Sequence, residues 1–145
     1  MKRFMVMGKT GSGKTSLLQR VYGEEMVYQK TQTVESFAGA IDTPGEYLEQ
    51  KNLYSALIVT AVDCDELLLI QAADDGDSSF PPSLGVCFNR PATGVVTKMD
   101  LVDGPQDAAA AVDCLMEAGA ERIFYVSAKT GAGLDDLRAY MLTEE

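Results

Sequence analysis

The chain has 145 residues, a length typical of one domain, and its 46% hydrophobic and 23% charged residues lie near the globular average. The net charge of −10 argues against non-specific binding to nucleic acid or to an anionic membrane surface. The absence of histidine excludes an imidazole base and a histidine-bound metal. No apolar run approaches the ~18 residues that cross a bilayer. The three cysteines have no paired spacing, which favours a reducing, cytoplasmic location.

Short apolar runs alternate with longer helical stretches along the chain, a pattern that predicts an α/β fold. Strands are predicted at 3–8, 37–42, 66–73, 93–100 and 122–128, and helices at 15–22, 48–62, 105–118 and 134–142. Residues 33–37 are interpreted as an edge strand or a loop, and 74–92, with three of the five prolines, as irregular. We therefore expect a single domain over 1–145, with a ligand at the carboxyl ends of the strands.

The first predicted strand runs directly into a glycine-rich loop and a helix. Gly8, Gly13, Lys14 and Thr15 match the spacing G-x4-G-K-[ST] of a phosphate-binding P-loop. Glycines let successive amides point at phosphate oxygens, and the helix N-terminus adds unpaired N–H groups. Lys14 is expected to reach the β- and γ-phosphates, and the Thr15 hydroxyl to bind Mg²⁺. The predicted phosphate-binding residues of the loop are Gly8, Lys9, Thr10, Gly11, Ser12, Gly13, Lys14, Thr15 and Ser16.

A second motif, Asp42-Thr43-Pro44-Gly45, follows the strand predicted at 37–42. A carboxylate at Asp42 can hold Mg²⁺, usually through a water molecule. The Gly45 amide can sense the γ-phosphate, because glycine permits close approach. These residues extend the predicted phosphate and metal site.

Two further motifs address the base of the nucleotide. Asp100, in Thr97-Lys98-Met99-Asp100, can accept two hydrogen bonds from the N1–H and the exocyclic amine of guanine, whereas adenine presents an acceptor at N1. The stem of Lys98 can lie along the flat base. In Ser127-Ala128-Lys129, the amide of Ala128 can bond the guanine carbonyl oxygen. Guanine is therefore the predicted base, with ATP as the alternative nucleotide.

Taken in order, GKTGSGKT, DTPG, TKMD and SAK resemble the motif set of a small Ras-like or translation-factor-type GTPase. This resemblance implies a three-layer P-loop NTPase fold, a mostly parallel sheet with helices on both faces, and GTP and Mg²⁺ as ligands. Within that class, YSALIVTAV, the FPP loop and GVVTKMDL resemble the EutP/PduV family of ethanolamine- and propanediol-utilisation proteins. The narrower resemblance implies a bacterial protein associated with metabolic microcompartments, with a shell protein or an enzyme as its partner.

Three departures from the GTPase pattern bear on mechanism. Thr97 stands where the common motif has an asparagine that ties this loop to the P-loop, which predicts a less rigid pocket and less sharp base discrimination. The switch threonine that binds Mg²⁺ is either Thr31 or Thr33, with Thr33 preferred. Glu46 follows Gly45 where Ras-like enzymes carry a water-positioning glutamine, so that Glu46 is interpreted either as catalytic or as a surface residue.

Neither the glycine-rich loop nor the predicted switch region contains an arginine or asparagine of the kind that some GTPases use to neutralise charge in the transition state. No arginine lies in the predicted switch region, and Arg20 is expected to project from the first helix. Gly11 stands where some potassium-stimulated GTPases have asparagine, and the side chain of Thr10 is expected to crowd the approach of an activator's arginine. We therefore expect Lys14 and Glu46 to be the catalytic residues of a slow enzyme.

Three functions are compatible with these motifs. The first is a GTP-binding switch or slow GTPase. The second, raised by the family resemblance, is a phosphotransferase resembling acetate kinase, for which Lys9 and Lys30 are the candidate cations for a small carboxylate acceptor. The third is a microcompartment-associated structural or targeting component with nucleotide-regulated assembly. A nucleic-acid partner is disfavoured by the charge.

Overall fold

A computed structural model shows how the predicted elements assemble. The residues that the structure describes are 3–8, 12–22, 29–30, 35–37, 40–42, 58–59, 61–62, 64–76, 80 and 88–142. Within these ranges, seven strands form one sheet. They are β1 (Phe4–Met7), β2 (Gln29–Lys30), β3 (Glu35–Phe37), β4 (Ala40–Asp42), β5 (Glu66–Ala72), β6 (Ala92–Thr97) and β7 (Ala120–Tyr125). The α-helices in the same ranges are α1 (Lys14–Tyr22), α2 (Ala109–Glu117) and α3 (Leu134–Leu142).

The sheet has the strand order β2-β3-β4-β1-β5-β6-β7, and the five strands from β4 to β7 in this order are parallel. β2 and β3 add an antiparallel edge, in which Ser36 lies opposite Ile41 of β4. Every residue of β1 and of β5 is buried, as continuous apolar runs covered on both faces predict. The carboxyl ends of β1, β5 and β6 therefore lie side by side at one edge of the sheet.

Helices cover both faces of the sheet, because successive strand residues point to opposite sides. On one face, Leu17 of α1 and Leu137 of α3 pack against Leu68 of β5. On the other face, Leu115 of α2 packs against Leu67 and other alternate residues of the same strand. This arrangement confirms the predicted three-layer α/β P-loop NTPase fold. No helix in the described ranges is long and apolar enough to span a membrane.

The described elements follow the predicted ones closely, with differences at their ends. The strand predicted at 93–100 ends at Thr97, because Lys98 adopts a left-handed conformation with φ of 59° and a 3-10 helix, Met99–Leu101, follows. The strand predicted at 122–128 lies at Ala120–Tyr125. The helix predicted at 105–118 begins as a 3-10 helix, Pro105–Ala108, before α2.

The strand predicted at 37–42 was wrong as a single element. Phe37 ends the antiparallel strand β3, and the parallel strand β4 begins at Ala40. The alternative of a strand within 33–37 is confirmed by β3, but β3 lies between β2 and β4, so that β2 and not β3 forms the edge of the sheet. Of the helix predicted at 48–62, only four residues are described, and 58, 59 and 61 are helical. Most of the segment 74–92 lies outside the described residues.

Candidate functional site

The glycine-rich loop connects β1 to α1 at the carboxyl edge of the sheet. Gly8 follows the last residue of β1, and a Cβ at this position would lie 2.7 Å from the carbonyl oxygen of Ile70 and 2.8 Å from Oγ of Ser12. Gly13 has a φ of 91°, a conformation that side chains other than glycine rarely adopt. Both glycines of the motif are therefore required by the backbone, one for close approach and one for its dihedral angle.

Ser12 and Lys14 are buried within this loop, at 6% and 9% exposure. The Oγ atom of Ser12 is buried and has no hydrogen-bond partner among the described residues. An enclosed hydroxyl without a partner costs free energy, and such groups often mark a place where a ligand or an ion completes the bonding. The first turn of α1 begins at Lys14, so its N-terminal amides face the same space.

Thr97, the last residue of β6, ties this loop to the rest of the site. Its Oγ1 donates a 2.6 Å hydrogen bond to the carbonyl oxygen of Ser12, and the residue is only 4% exposed. Thr97 thus makes a contact of the kind that the asparagine of the common motif makes, while the less rigid pocket and the less sharp base discrimination stay predictions. A hydroxyl on β6 is close enough to reach the loop because β1 and β6 flank β5 on either side.

The positive φ of Lys98 turns the chain sharply after β6. The turn places Met99–Leu101 in a 3-10 helix, and the amide of Met99 donates to the carbonyl oxygen of Val126 at 3.1 Å. Lys98 itself runs back towards the glycine-rich loop, with its Cε 3.7 Å from where a Cβ on Gly13 would lie. The TKMD motif therefore contacts both the loop and the segment after β7.

Asp100 is exposed, and its carboxylate is held by Ser127. The Oγ of Ser127 donates a 2.7 Å hydrogen bond to Oδ1 of Asp100, and Ser127 itself is buried. This bond is the largest cause that lowers the pKa of Asp100 below its ordinary 3.8, and the charges of Lys129 and Lys98 lower the pKa further. Asp100 is consequently an ionised acceptor across the physiological range, oriented by the hydrogen bond from Ser127.

The loop after β7 has a structure that the sequence reasoning did not anticipate. The carbonyl oxygen of Ser127 accepts a 2.8 Å hydrogen bond from the amide of Gly131. The amide of Ser127 donates a 2.9 Å hydrogen bond to the carbonyl oxygen of Ala132. Gly131 and Gly133 both have positive φ, and a Cβ on Gly133 would collide with the carbonyl oxygen of Tyr125. The feature of the sequence that indicates this tight loop is the TGAG run that follows SAK. These glycines fold the loop tightly enough to hold Ser127 against Asp100.

The motifs from three separate parts of the chain line one cavity of about 420 Å³. Its volume lies within the range of small-molecule sites. Its lining residues are Gly13, Ser16, Leu17, Thr97, Lys98, Asp100, Leu101, Ala128 and Lys129. The structure thus brings Gly13 and Ser16 of the P-loop together with the predicted base-binding residues other than Ser127. The described residues Gly8, Ser12 and Lys14 do not line this cavity.

Other predicted site residues fall outside the described ranges. They are Lys9, Thr10, Gly11, Thr31, Thr33, Gly45 and Glu46. Asp42 ends β4 opposite Val6 of β1, which places its backbone beside the glycine-rich loop. Among the described residues, no three histidine, cysteine, aspartate or glutamate side chains form a group able to hold a metal ion.

The residues that line the cavity are chemically suited to a nucleotide. At one end, Gly13 lines the cavity, and the enclosed hydroxyl of Ser12 and the buried Lys14 are its neighbours in the chain. At the other end, an ionised carboxylate presents acceptors only, and acceptors match the adjacent N–H donors of guanine.

The chain matches a known protein family over almost its whole length. Residues 1–143 match the family described as PduV-EutP, ethanolamine utilisation - propanediol utilisation. The chain is 42% identical over 145 residues to the propanediol utilization protein PduV of Citrobacter freundii, covering 100% of this chain and 96% of that relative. It is 38% identical over 123 residues to "Probable acetate kinase EutP" of Escherichia coli strain K12, covering 83% of this chain and 76% of that relative.

Solved structures of GTPases share the fold. A mutant of Aquifex aeolicus Era bound to GDP and AlF4⁻ aligns with a TM-score of 0.66 at 19% identity, over 100% of this chain and 59% of that one. A mutant of S. thermophilus NFeoB bound to GDP aligns with a TM-score of 0.67 at 16% identity, over 97% of this chain and 61% of that one. These likenesses confirm the fold, and the sequence matches confirm the family that the motifs predict. The chain belongs to the PduV–EutP family, described as ethanolamine utilisation - propanediol utilisation, and has the P-loop NTPase fold.

Proposed function

We propose that this protein binds GTP together with Mg²⁺ in the cavity between the glycine-rich loop and Asp100, and acts as a nucleotide-dependent switch or slow GTPase. The observation that carries the proposal is the convergence of Gly13, Asp100 and Ala128 on one cavity of about 420 Å³. These residues come from three distant parts of the chain, and each has the chemistry expected for a different part of a nucleotide. A single domain over residues 1–145 is part of the same proposal.

Guanine is favoured as the base because of the state of Asp100. Its carboxylate is ionised and is oriented by the hydrogen bond from Ser127, so that it offers only acceptors to the base. Guanine presents two adjacent donors at N1 and the exocyclic amine, whereas adenine would place a lone pair against the carboxylate. A charged acceptor facing a lone pair is repulsive, and a site built in this way rejects the wrong base.

The phosphates and the metal belong at the other end of the cavity. The amides that begin α1 and the buried Lys14 are the described groups suited to a phosphate chain. Thr15, Asp42 and Thr33 are the proposed residues that hold Mg²⁺, which would neutralise charge on the phosphates. Glu46 and Gly45 complete the proposal as the residues next to the γ-phosphate.

Slow hydrolysis is part of the proposal, because the sequence lacks an arginine in the predicted switch region. Gly11 also stands where some potassium-stimulated GTPases have asparagine, and the side chain of Thr10 is expected to crowd an activator's arginine. We expect a partner, or self-association, to accelerate the reaction. A microcompartment shell protein or an enzyme of ethanolamine or propanediol utilisation is the partner suggested by the family. Fast single-turnover hydrolysis of GTP by the isolated monomer would contradict this part of the proposal.

A second candidate function is transfer of the γ-phosphoryl group to a small carboxylate. The observation in its favour is the 38% identity to "Probable acetate kinase EutP" of Escherichia coli strain K12. Analysis of the products separates the two functions. Formation of acetyl phosphate from acetate and a nucleoside triphosphate supports the kinase, whereas release of orthophosphate alone supports the hydrolase.

The experiment that tests nucleotide binding is a titration of labelled GTP and ATP, with and without Mg²⁺, against wild type and Asp100→Ala. We expect wild type to prefer GTP, and Asp100→Ala to lose most of that preference while its affinity for ATP changes little. Asp103→Ala is the matched control, because Asp103 is also an exposed aspartate, three residues further along, and does not line the cavity. An unchanged preference for GTP in Asp100→Ala would contradict the assignment of the base. Undetectable binding of both nucleotides to wild type would leave a structural role as the better explanation.

A further inference from the structure

Thr97 is the one strand-end residue that both lines the cavity and contacts the glycine-rich loop within the described ranges. Its Oγ1 lies 2.6 Å from the carbonyl oxygen of Ser12, a short and therefore strong contact. The next acceptor, the carbonyl oxygen of Gln71, is 3.5 Å away. Because a threonine hydroxyl carries a single proton, the Ser12 bond uses all of its donor capacity.

A purine offers two edges to a protein. One edge carries N1 and the exocyclic groups, and the other carries N7, which is an acceptor in both guanine and adenine. A residue at the end of β6 that read the N7 edge would need a proton to donate. Thr97 has none to spare while its hydroxyl holds the carbonyl of Ser12, and the residue is only 4% exposed.

On the proposed function as a nucleotide-binding protein, we infer that Thr97 is a positioning residue that fixes the glycine-rich loop and does not read the base. Its hydroxyl holds the carbonyl of Ser12, and thereby sets the direction of the loop amides that follow. Thr97 therefore contributes to the affinity for the phosphate chain of any purine nucleotide. The choice between bases is left to Asp100, which the Ser127 hydrogen bond orients independently.

The inference is tested with Thr97→Val, which removes the hydroxyl at nearly constant volume, and with Thr97→Ser, which keeps it. Equilibrium binding is measured for GTP, ATP and 7-deaza-GTP, an analogue in which a C–H replaces N7. We expect Thr97→Val to weaken the binding of all three nucleotides by a similar factor of about three- to tenfold. The ratio of GTP to 7-deaza-GTP affinity should be the same in the variant as in wild type, and Thr97→Ser should restore binding.

Thr93→Val provides a matched control on the same strand. Its hydroxyl also makes a buried 2.6 Å hydrogen bond, to Oε2 of Glu66, but at the opposite end of β6. The two positions are four steps apart along the strand, a distance of about 13 Å. We expect Thr93→Val to lower the melting temperature without changing nucleotide affinity, which distinguishes positioning of the loop from a general structural role.

Two results would overturn the inference. If Thr97→Val weakens GTP more than 7-deaza-GTP, the hydroxyl donates to N7 and Thr97 reads the base. If Thr97→Val lowers the melting temperature but leaves all three affinities unchanged, Thr97 is structural only. Preference of wild type for ATP over GTP would contradict the proposed function but not this inference, because Thr97 is expected to act on both nucleotides. If wild type binds none of the three, both are wrong.

Discussion

Gly8 occupies the point where the first strand meets the phosphate-binding loop, and Gly8→Ala is the sharpest test of how closely that junction is packed. The added methyl group would lie 2.7 Å from the carbonyl oxygen of Ile70 and 2.8 Å from Oγ of Ser12. The Ser12 side chain can rotate away only within an enclosed space. The Ile70 carbonyl cannot move alone, because Ile70 is paired within β5 opposite Val95 of β6.

The expected magnitude follows from these contacts. Relief of the overlap requires the loop to shift by about half an ångström, and overpacking of this kind costs about 1–3 kcal/mol. In a chain of this size, we expect the melting temperature to fall by roughly 3–10 °C. On the proposed function, the shift moves amides that bind the phosphates, so that loss of one hydrogen bond to a charged oxygen should weaken the binding of both GTP and ATP by at least about tenfold.

The assay combines thermal unfolding of the nucleotide-free protein with binding of GTP and ATP. Gly76→Ala is the control, because Gly76 is exposed and its added Cβ would meet only the Cβ of Ala110, at 3.1 Å. We expect the control to retain wild-type affinity. If Gly8→Ala lowers the melting temperature but binds GTP as tightly as wild type, the glycine serves packing alone and the argument for a phosphate cradle is refuted.

Three other outcomes are expected. Ser127→Ala should raise the pKa of Asp100 towards 3.8. The lowered pKa of the wild-type carboxyl stabilises the fold at pH above 3.8, and this effect is lost as the pH falls. When GTP binding is measured between about pH 3 and 6, binding should therefore be lost on acidification at a higher pH in the variant than in wild type. Tyr140→Phe removes hydrogen bonds of 2.6 and 2.9 Å to buried Glu66. It should lower stability by about 1.5–3 kcal/mol in thermal unfolding without altering GTP affinity, whereas the control Tyr125→Phe should have little effect. Removal of Mg²⁺ by EDTA should weaken the binding of GTP, as measured by titration calorimetry. Equal affinity for GTP with and without the metal would contradict the proposed magnesium site.

Local sequence determined the order of the motifs and the type of fold. The apolar runs 3–8 and 66–73 predicted the buried parallel strands β1 and β5, because strands covered on both faces of a sheet are mostly apolar. The spacing of Gly8, Gly13 and Lys14 predicted a loop between a strand and a helix, and that loop lies between β1 and α1. These features are local, so that composition and periodicity alone can specify them.

The ends of the elements were less predictable, because they depend on backbone angles and on neighbouring strands. The apolar run at 37–42 gave no sign that Phe37 and Ala40 lie on antiparallel strands. Similarly, the run at 93–100 did not reveal that Lys98 adopts a positive φ and ends the strand at Thr97. In the second place the chain turns so that the amide of Met99 reaches the carbonyl oxygen of Val126, a partner distant in sequence that a local pattern does not contain.

The sequence by itself therefore determined that this protein is a P-loop NTPase of the PduV–EutP family and named the residues suited to phosphate and guanine. Only the tertiary structure decided what individual side chains do. Thr97 holds the carbonyl of Ser12, a contact that the motif alone did not reveal, and Ser127 orients Asp100 from the next loop. The physical reason is that a hydrogen bond depends on distances of a few tenths of an ångström between residues 85 and 27 positions apart in the chain. Such distances are set by how strands and loops pack together, and a motif records only which residues are present.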